Sequence, residues 1–392
     1  MSPNADVLYK TDPVADDRRD ISGPWVEVDL DAITHNINQI RRICCDTPLM
    51  PVIKSNAYGH GLIEIARHLE GLAVHGLCVG SFQEAAGLRS NSIACPVLNL
   101  GPYSRKEAEI IAACGISQSV FSDDVRMLDD AAAACGRPAR VHIKIDTGLG
   151  RVGVPYSSAL SFIEQVAGLS NVRIEGVFTS LTEDMAFDRE QIDRFTEVIR
   201  QATAKGIDLG LKHAASSAAI LECPEARLDL VRPGIMVFGC YPSAKEFRKR
   251  RIDLKPTLTL KARVSFVKRL KAGDSVAYHQ AYTARTEETL VTGVIGYPDG
   301  YPSQLSENSR CLIGGRRYPL VAGVTANHIY IRADNDRPIE IGDEIVLIGC
   351  QDGESVPVES LAEITGISEY KILGCLSPQL PRFYRAGNAE GQ

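Results

Sequence analysis

Short apolar runs alternate with amphipathic stretches over the first two thirds of the chain. The runs lie near 49–53 (LMPVI), 74–79 (VHGLCV), 96–100 (PVLNL), 117–121 (SQSVF), 141–145 (VHIKI), 173–178 (RIEGVF), 209–213 (LGLKH) and 228–232 (LDLVR). Each has the length and bounded apolar character of a buried strand. The stretches between them carry a helical period. After Asp31, ITHNINQIRRI places Ile33, Ile37, Ile40 and Ile43 on one face. RKEAEIIAACG ends on Gly115 and DREQIDRFTEVIRQATAKG on Gly206, each at a C-cap position. Eight strand candidates with intervening helices predict an α/β fold, a (β/α)8 TIM-like barrel. An open doubly wound sheet fits the alternation too, but no G-x-G-x-x-G follows the first strand.

The pattern changes after about residue 252. TLTLKARVSFVKRL, ETLVTGVIGY, RCLIGGRRYPLVAGV, HIYIRA and DEIVLIG are β-branched runs broken by Gly, Asp and Asn, without helical period. They predict a C-terminal all-β domain. The expected division is an N-terminal extension at 1–24, a barrel at 25–251, a β domain at 252–385 and a tail at 386–392.

Composition narrows the function classes. The chain has 392 residues, is 44% hydrophobic and carries a net charge of -6. That suffices for two cores, and dispersed basic residues leave no footprint for nucleic acid. No apolar run is long enough to span a membrane. The N-terminal segment lacks the apolar stretch of a secretory signal. Its 11 cysteines are scattered, without a C-x-x-C pair, and several (Cys78, Cys95, Cys240) sit among apolar residues. They read as core residues of a reducing, cytoplasmic protein, with no metal site.

The candidate chemistry begins at PVIKSNAYGHG. Lys54 ends a predicted buried strand, and two glycines follow it. Partial desolvation there disfavours the ammonium and frees the amine to attack a carbonyl cofactor. In a barrel, reactive residues gather at the C-terminal ends of strands, and phosphate sites often lie after strands seven and eight. KHAASSAA, with Ser216 and Ser217, follows the seventh candidate; VRPGI, with Gly234, follows the eighth. Hydroxyls and free N–H groups there suit a phosphate. Together with Lys54 they suggest a phosphorylated aldehyde held on a lysine.

PVIKSNAYGHG, HIKIDTGLGRVG, LVRPGIMVFGCYPS, SVAYHQAYTA and VIGYPDGY, in this order, resemble the alanine racemase family, over roughly residues 25–383. The resemblance implies pyridoxal 5'-phosphate (PLP) chemistry on a barrel with a C-terminal β domain. Lys54 would carry PLP and act as one base. Tyr58 would bind the phosphate, with Ser217, Gly234 and Ile235. Arg232 would face the pyridine nitrogen, held by His213. An arginine stays protonated, so it leaves the ring nitrogen unprotonated, which weakens the electron sink and suits proton exchange. Tyr278 matches the second base, delivered by a partner chain. Two bases on opposite faces allow removal and return of a proton with inversion. A free tyrosine titrates near ~10, so a cation must lower it. Arg151 matches the residue that touches both this tyrosine and the substrate carboxylate. Lys144 matches a position that relatives often carbamylate. Tyr297 matches an entryway tyrosine. The implied assembly is a homodimer with active sites shared across chains, acting on a small amino acid.

Departures cluster around the substrate. Ser180 stands where the family has a histidine stacked on the cofactor. Thr325, Ala326 and Asn327 replace Cys, Met and Asp; the family's methionine gives its backbone N–H to the substrate carboxylate, and the resemblance implies that Ala326 would still offer that N–H. Pro378 replaces a tyrosine, and His279 stands where a glycine is usual. Racemisation of alanine or a related amino acid is the expected function. Decarboxylation, an aldol-type cleavage or a non-catalytic PLP-binding role are the competing readings.

Overall fold

The computed structural model describes residues 21–306, 308–334 and 337–387. The expected extension at 1–24 falls mostly outside these residues, as does most of the tail at 386–392.

The first unit is a closed parallel barrel. Strands Leu77–Val79, Val97–Asn99, Ser117–Val120, Ala139–Asp146, Val172–Phe178 and Leu211–His213 pair side by side in chain order. The ring closes through parallel bridges: Val52 to Cys78, Leu49 to Val231, and His213 to Leu230. All eight apolar runs therefore lie in one ring. Its wall is apolar because helices cover it outside and side chains fill it inside.

The covering helices start and stop where local chemistry dictates. Asp29 caps Leu30–Ile43 by accepting from the Ala32 N–H, and Ile33, Ile37 and Ile40 are buried. Ser104 and Glu107 form a reciprocal capping box for Arg105–Cys114, which ends on left-handed Gly115. Met185–Ala204 ends with Lys205 at the cap, and Gly206 follows at φ 76.

The second unit is a closed antiparallel barrel. Leu258–Leu270 pairs with Glu288–Val294 on one side and Glu344–Gln351 on the other. Arg310–Ile313, Arg316–Val324 and His328–Ala333 complete the ring. Each predicted β run contributes to it.

One segment departs from the expected division. Trp25–Asp29 lies in the second sheet, antiparallel to Leu258–Leu270 and parallel to Arg382–Arg385. Trp25 is fully buried there. The half-buried Lys261 ammonium stands 3.0 Å from Glu27 and 2.9 Å from Glu344, so the buried Glu27 carboxylate is paired. Among the described residues the chain thus passes from the second unit to the barrel and back.

Candidate active site

Lys54 leaves the barrel wall at the C-terminal end of the segment 49–53. That segment is wedged between neighbours on both sides: Val52 N–H donates to Pro233 O and Ile53 N–H to Cys78 O, both at 2.8 Å. The Lys54 stem packs against Gly80, where an added Cβ would stand 3.1 Å from Lys54 Cβ. Its amine is held below the ordinary lysine range, first by partial burial and next by the Arg151 charge, with Glu84 opposing.

Four non-glycine residues follow in left-handed conformation: Ser55, Asn56, Ala57 and Tyr58, at φ 55, 55, 52 and 49. This turn swings Tyr58 back under the barrel mouth. The Tyr58 hydroxyl lies where a side chain on Gly234 would meet it at 2.9 Å, so only glycine leaves that space open. Ser217 opens the helix Ser217–Glu222, with Ser216 as its cap. Its hydroxyl accepts from Gly234 N–H at 2.9 Å and Met236 N–H at 3.4 Å. Tyr58, Ser217, Gly234 and Ile235 are thus brought together at one end of the barrel.

Arg232 is buried next to this cradle. It donates to His213 Nδ1 at 2.6 Å, to Thr179 O at 2.8 Å and to Ala214 O at 3.3 Å. Burial lowers its pKa to about 10, so it stays cationic at neutral pH. Because guanidinium can only donate, His213 Nδ1 carries no proton. His213 Nε2 then bears one and donates to His142 Nδ1, 2.8 Å away. Both histidines are neutral. Burial, then the Arg232 charge, takes His142 down to about 3 and His213 well below its ordinary value. The His213 ring stacks on Phe178 at 5.0 Å, with Arg232 over the same ring at 5.1 Å.

Lys144 is buried beneath the mouth, 5.6 Å from the centre of the Phe178 ring. Burial, Arg151 and Arg232 lower its pKa to about 8, while Asp146 pulls the other way. A substantial fraction is therefore neutral amine near pH 8.

Tyr278 is placed quite differently. It is 78% exposed on the second unit, in a turn where Ala277, His279 and Gln280 all take positive φ. Tyr297 is 56% exposed. Its N–H donates to Thr325 O at 3.1 Å, and Gly296 packs directly on Ala326 O. Thr325 closes the turn by bonding both backbone groups of His328, which presents Ala326 and Asn327 to solvent. The second unit thus groups Tyr297, Ala326 and Asn327 on an open face.

The altered positions have structural partners. Ser180 O accepts from Gln191, which also bonds Thr147, so the segment that bears the small side chain is fixed from behind. Pro378 O accepts from Arg382.

Several residues were invisible to sequence reasoning. His142 and Lys144 alternate on one strand and so share a face, a signal that could have found the histidine. Glu84 has the S-x-x-E spacing of a helix cap after Ser81. Its carboxylate instead accepts from Gly80 N–H at 2.9 Å and Asn56 N–H at 3.1 Å, tying the Lys54 turn down. Phe178 gave no signal beyond strand hydrophobicity.

Residues 28–242 match the model of the alanine racemase N-terminal domain, and 257–384 that of the C-terminal domain. The chain belongs to the alanine racemase family. Alanine racemase from Symbiobacterium thermophilum is 38% identical over 92% of this chain and 96% of its own length. That from Carboxydothermus hydrogenoformans is 37% identical over 92% and 99%. Among solved structures, alanine racemase of Clostridium difficile 630 superposes with TM-score 0.88 at 32% identity, covering 94% of this chain and 97% of its own. The Bacillus anthracis alanine racemase with bound L-Ala-P gives TM-score 0.86 at 30% identity, covering 94% and 96%. Membership carries the enzyme class: an amino-acid racemase, an isomerase.

Proposed function

We propose that this chain is a PLP-dependent racemase of alanine or a closely related small amino acid. The observation that carries the reading is the convergence at one barrel end of Lys54, with its lowered pKa, on the Tyr58–Ser217–Gly234 cradle and on Arg232. The space kept open at Gly234 and the hydroxyls around it fit a phosphate dianion. Lys54, Tyr58, His213, Ser217, Arg232, Gly234 and Ile235 would hold the cofactor. When bound to Lys54, PLP supplies a conjugated electron-poor ring that lowers the acidity barrier at the substrate Cα.

This chain's own groups would then do the proton work. The Lys54 amine takes the Cα proton on one face. Arg232 would face the ring nitrogen as a donor that can accept nothing, and the neutral His213–His142 pair would hold it in place without competing for a proton. Tyr278 returns a proton to the opposite face, and the exposed positions of Tyr278, Tyr297 and Ala326 support its delivery from a second copy. Arg151, whose charge acts on both Lys54 and Lys144, would bind the substrate carboxylate. Lys144 would react as neutral amine with carbon dioxide, forming a carbamate and releasing one proton. The negative carbamate would relieve the crowding of cations around Lys144 and orient Arg151.

The homodimer, the cytoplasmic compartment and the division into two domains belong to the same reading. The compartment rests on the cysteine pattern of the sequence, scattered and without a C-x-x-C pair. No helix among the described residues is long and apolar enough to cross a membrane. The proposed division keeps the barrel near 30–251 and adds Trp25–Asp29 to the β domain.

The test is α-proton exchange in deuterated water, followed by proton NMR on single L- and D-amino acids with PLP added. Loss of the signal from both enantiomers of alanine establishes the reading. Exchange with a larger or more polar amino acid instead would assign Ser180, Thr325, Asn327 and Pro378 to a changed pocket. Release of carbon dioxide or an aldehyde without exchange would overturn it.

A further inference from the structure

A left-handed helical turn is unfavourable for L-residues, because each Cβ crowds the following carbonyl oxygen. Ser55, Asn56, Ala57 and Tyr58 all occupy that region, immediately after Lys54, and none is glycine. Such a turn persists only where its surroundings over-determine it. Part of the restraint is local. Gly59 N–H donates to Ser55 O at 3.1 Å, Gly61 N–H to Asn56 O at 3.0 Å, and Leu62 N–H to Asn56 Oδ1 at 2.8 Å. The rest arrives from the strand Arg382–Arg385. Arg382 Nε donates to Gly59 O at 2.8 Å, and the Tyr384 hydroxyl donates to His60 O at 2.9 Å. The fit is close: an added Cβ would stand 1.8 Å from the Tyr384 hydroxyl at Gly61 and 2.2 Å from Leu373 O at Gly59.

Arg382 is itself immobilised. It also donates to Ser377 O, Pro378 O and Leu380 O at 3.0, 3.2 and 2.7 Å. Its strand, Arg382–Arg385, lies parallel to Trp25–Asp29, so the anchor is a sheet edge and not a loop. One face of that sheet therefore grips the two carbonyls that close the Lys54 turn.

We propose that Arg382 and Tyr384 are positioning residues: the second unit holds the Lys54 turn in its left-handed form and thereby aims Lys54 and Tyr58 at the barrel mouth. The cofactor consequences rest on the racemase reading above, but the clamp on the backbone does not.

Two variants test it in the full-length protein: Tyr384→Phe, which removes only the donor, and Arg382→Gln. Amide hydrogen exchange is followed at residues 57–61, and the visible band of bound PLP is titrated with pH. The expected result is exchange about tenfold faster at Gly59 and Gly61 in Tyr384→Phe, the scale of one lost hydrogen bond to a carbonyl. The midpoint of the cofactor band is expected to move as well, with protection elsewhere unchanged. Arg382→Lys, which keeps one donor, is expected to restore part of the protection lost in Arg382→Gln. Unchanged exchange at 57–61 in both variants overturns the proposal, whatever happens to Tm. If the unaltered protein forms no PLP band, the racemase reading fails, and the exchange data still decide the clamp.

Discussion

Lys54 and Tyr278 are both exposed, but what lies beneath them differs. Under Lys54, at the barrel mouth, Arg232, His213, His142, Lys144 and Ser217 are all buried, and the chain of hydrogen bonds from Arg232 through His213 to His142 fixes both histidine tautomers. The face around Tyr278 is bare, with Tyr278 78% and Tyr297 56% exposed. Burial inside one chain is enough to prepare a cofactor cradle and a lysine of lowered pKa. Tyr278, the proposed second base, is left by the same folding in open solvent. The lesson is that half of the proposed site is finished by folding, and the other half awaits another surface.

The sharpest way to break this comparison is at Lys54. Lys54→Ala is expected to lower α-proton exchange by at least about 10⁴-fold and to abolish covalent PLP binding. Retained exchange by NMR would remove the barrel mouth from the chemistry. Tyr278→Phe is expected to slow exchange by about 10²–10³-fold while leaving the PLP absorption intact. Mixing and re-associating the two variants tests sharing directly. If each site combines Lys54 of one chain with Tyr278 of another, about a quarter of full activity should return. No recovery would mean that Tyr278 serves its own chain or none.

The buried half should also show its cost in acid. His60 is fully buried, with Nδ1 directed at Tyr58 O and Ala57 O, and burial lowers its pKa from 6.5 to about 4. The unfolded chain binds that proton more readily. The stability His60 contributes is therefore fully present above pH 6.5 and is lost as pH falls towards about 4. The loss amounts to roughly 3 kcal/mol. Urea titrations across this window should show the slope, and His60→Gln should flatten it. An unchanged slope would mean that other groups govern acid unfolding. The smallest effect is expected on the exposed face. Asn327→Asp restores a charge in solvent and should change KM for alanine by less than about fivefold, with a stronger penalty on acidic amino acids. Equal KM changes for neutral and acidic substrates would place Asn327 outside the substrate's reach.

Much of the fold was legible in the chain. The barrel runs announced themselves because strands buried on both faces are short and continuously apolar, and the helices between them carry explicit caps such as Ser104–Glu107 with Gly115. The β runs past 252 were equally plain. Trp25–Asp29 was not, because WVEVD suits either unit and only pairing with Leu258–Leu270 decides between them. Lys54 was legible from its place at a strand end. The Glu84 contact to its turn was not, since S-x-x-E spacing reads as an ordinary cap until tertiary contacts redirect the carboxylate.

The sequence by itself determined the order of the two units, the strand that ends on Lys54 and the glycine kept free at 234. These follow from period, caps and the lack of a side chain, all local properties. Only the tertiary structure decided that the strand Arg382–Arg385 would close on the Lys54 turn. It also decided that His142 would meet His213, and that Tyr278 would be left in solvent. Those outcomes depend on which distant surfaces share a sheet or a barrel interior, and spacing along the chain carries no record of that.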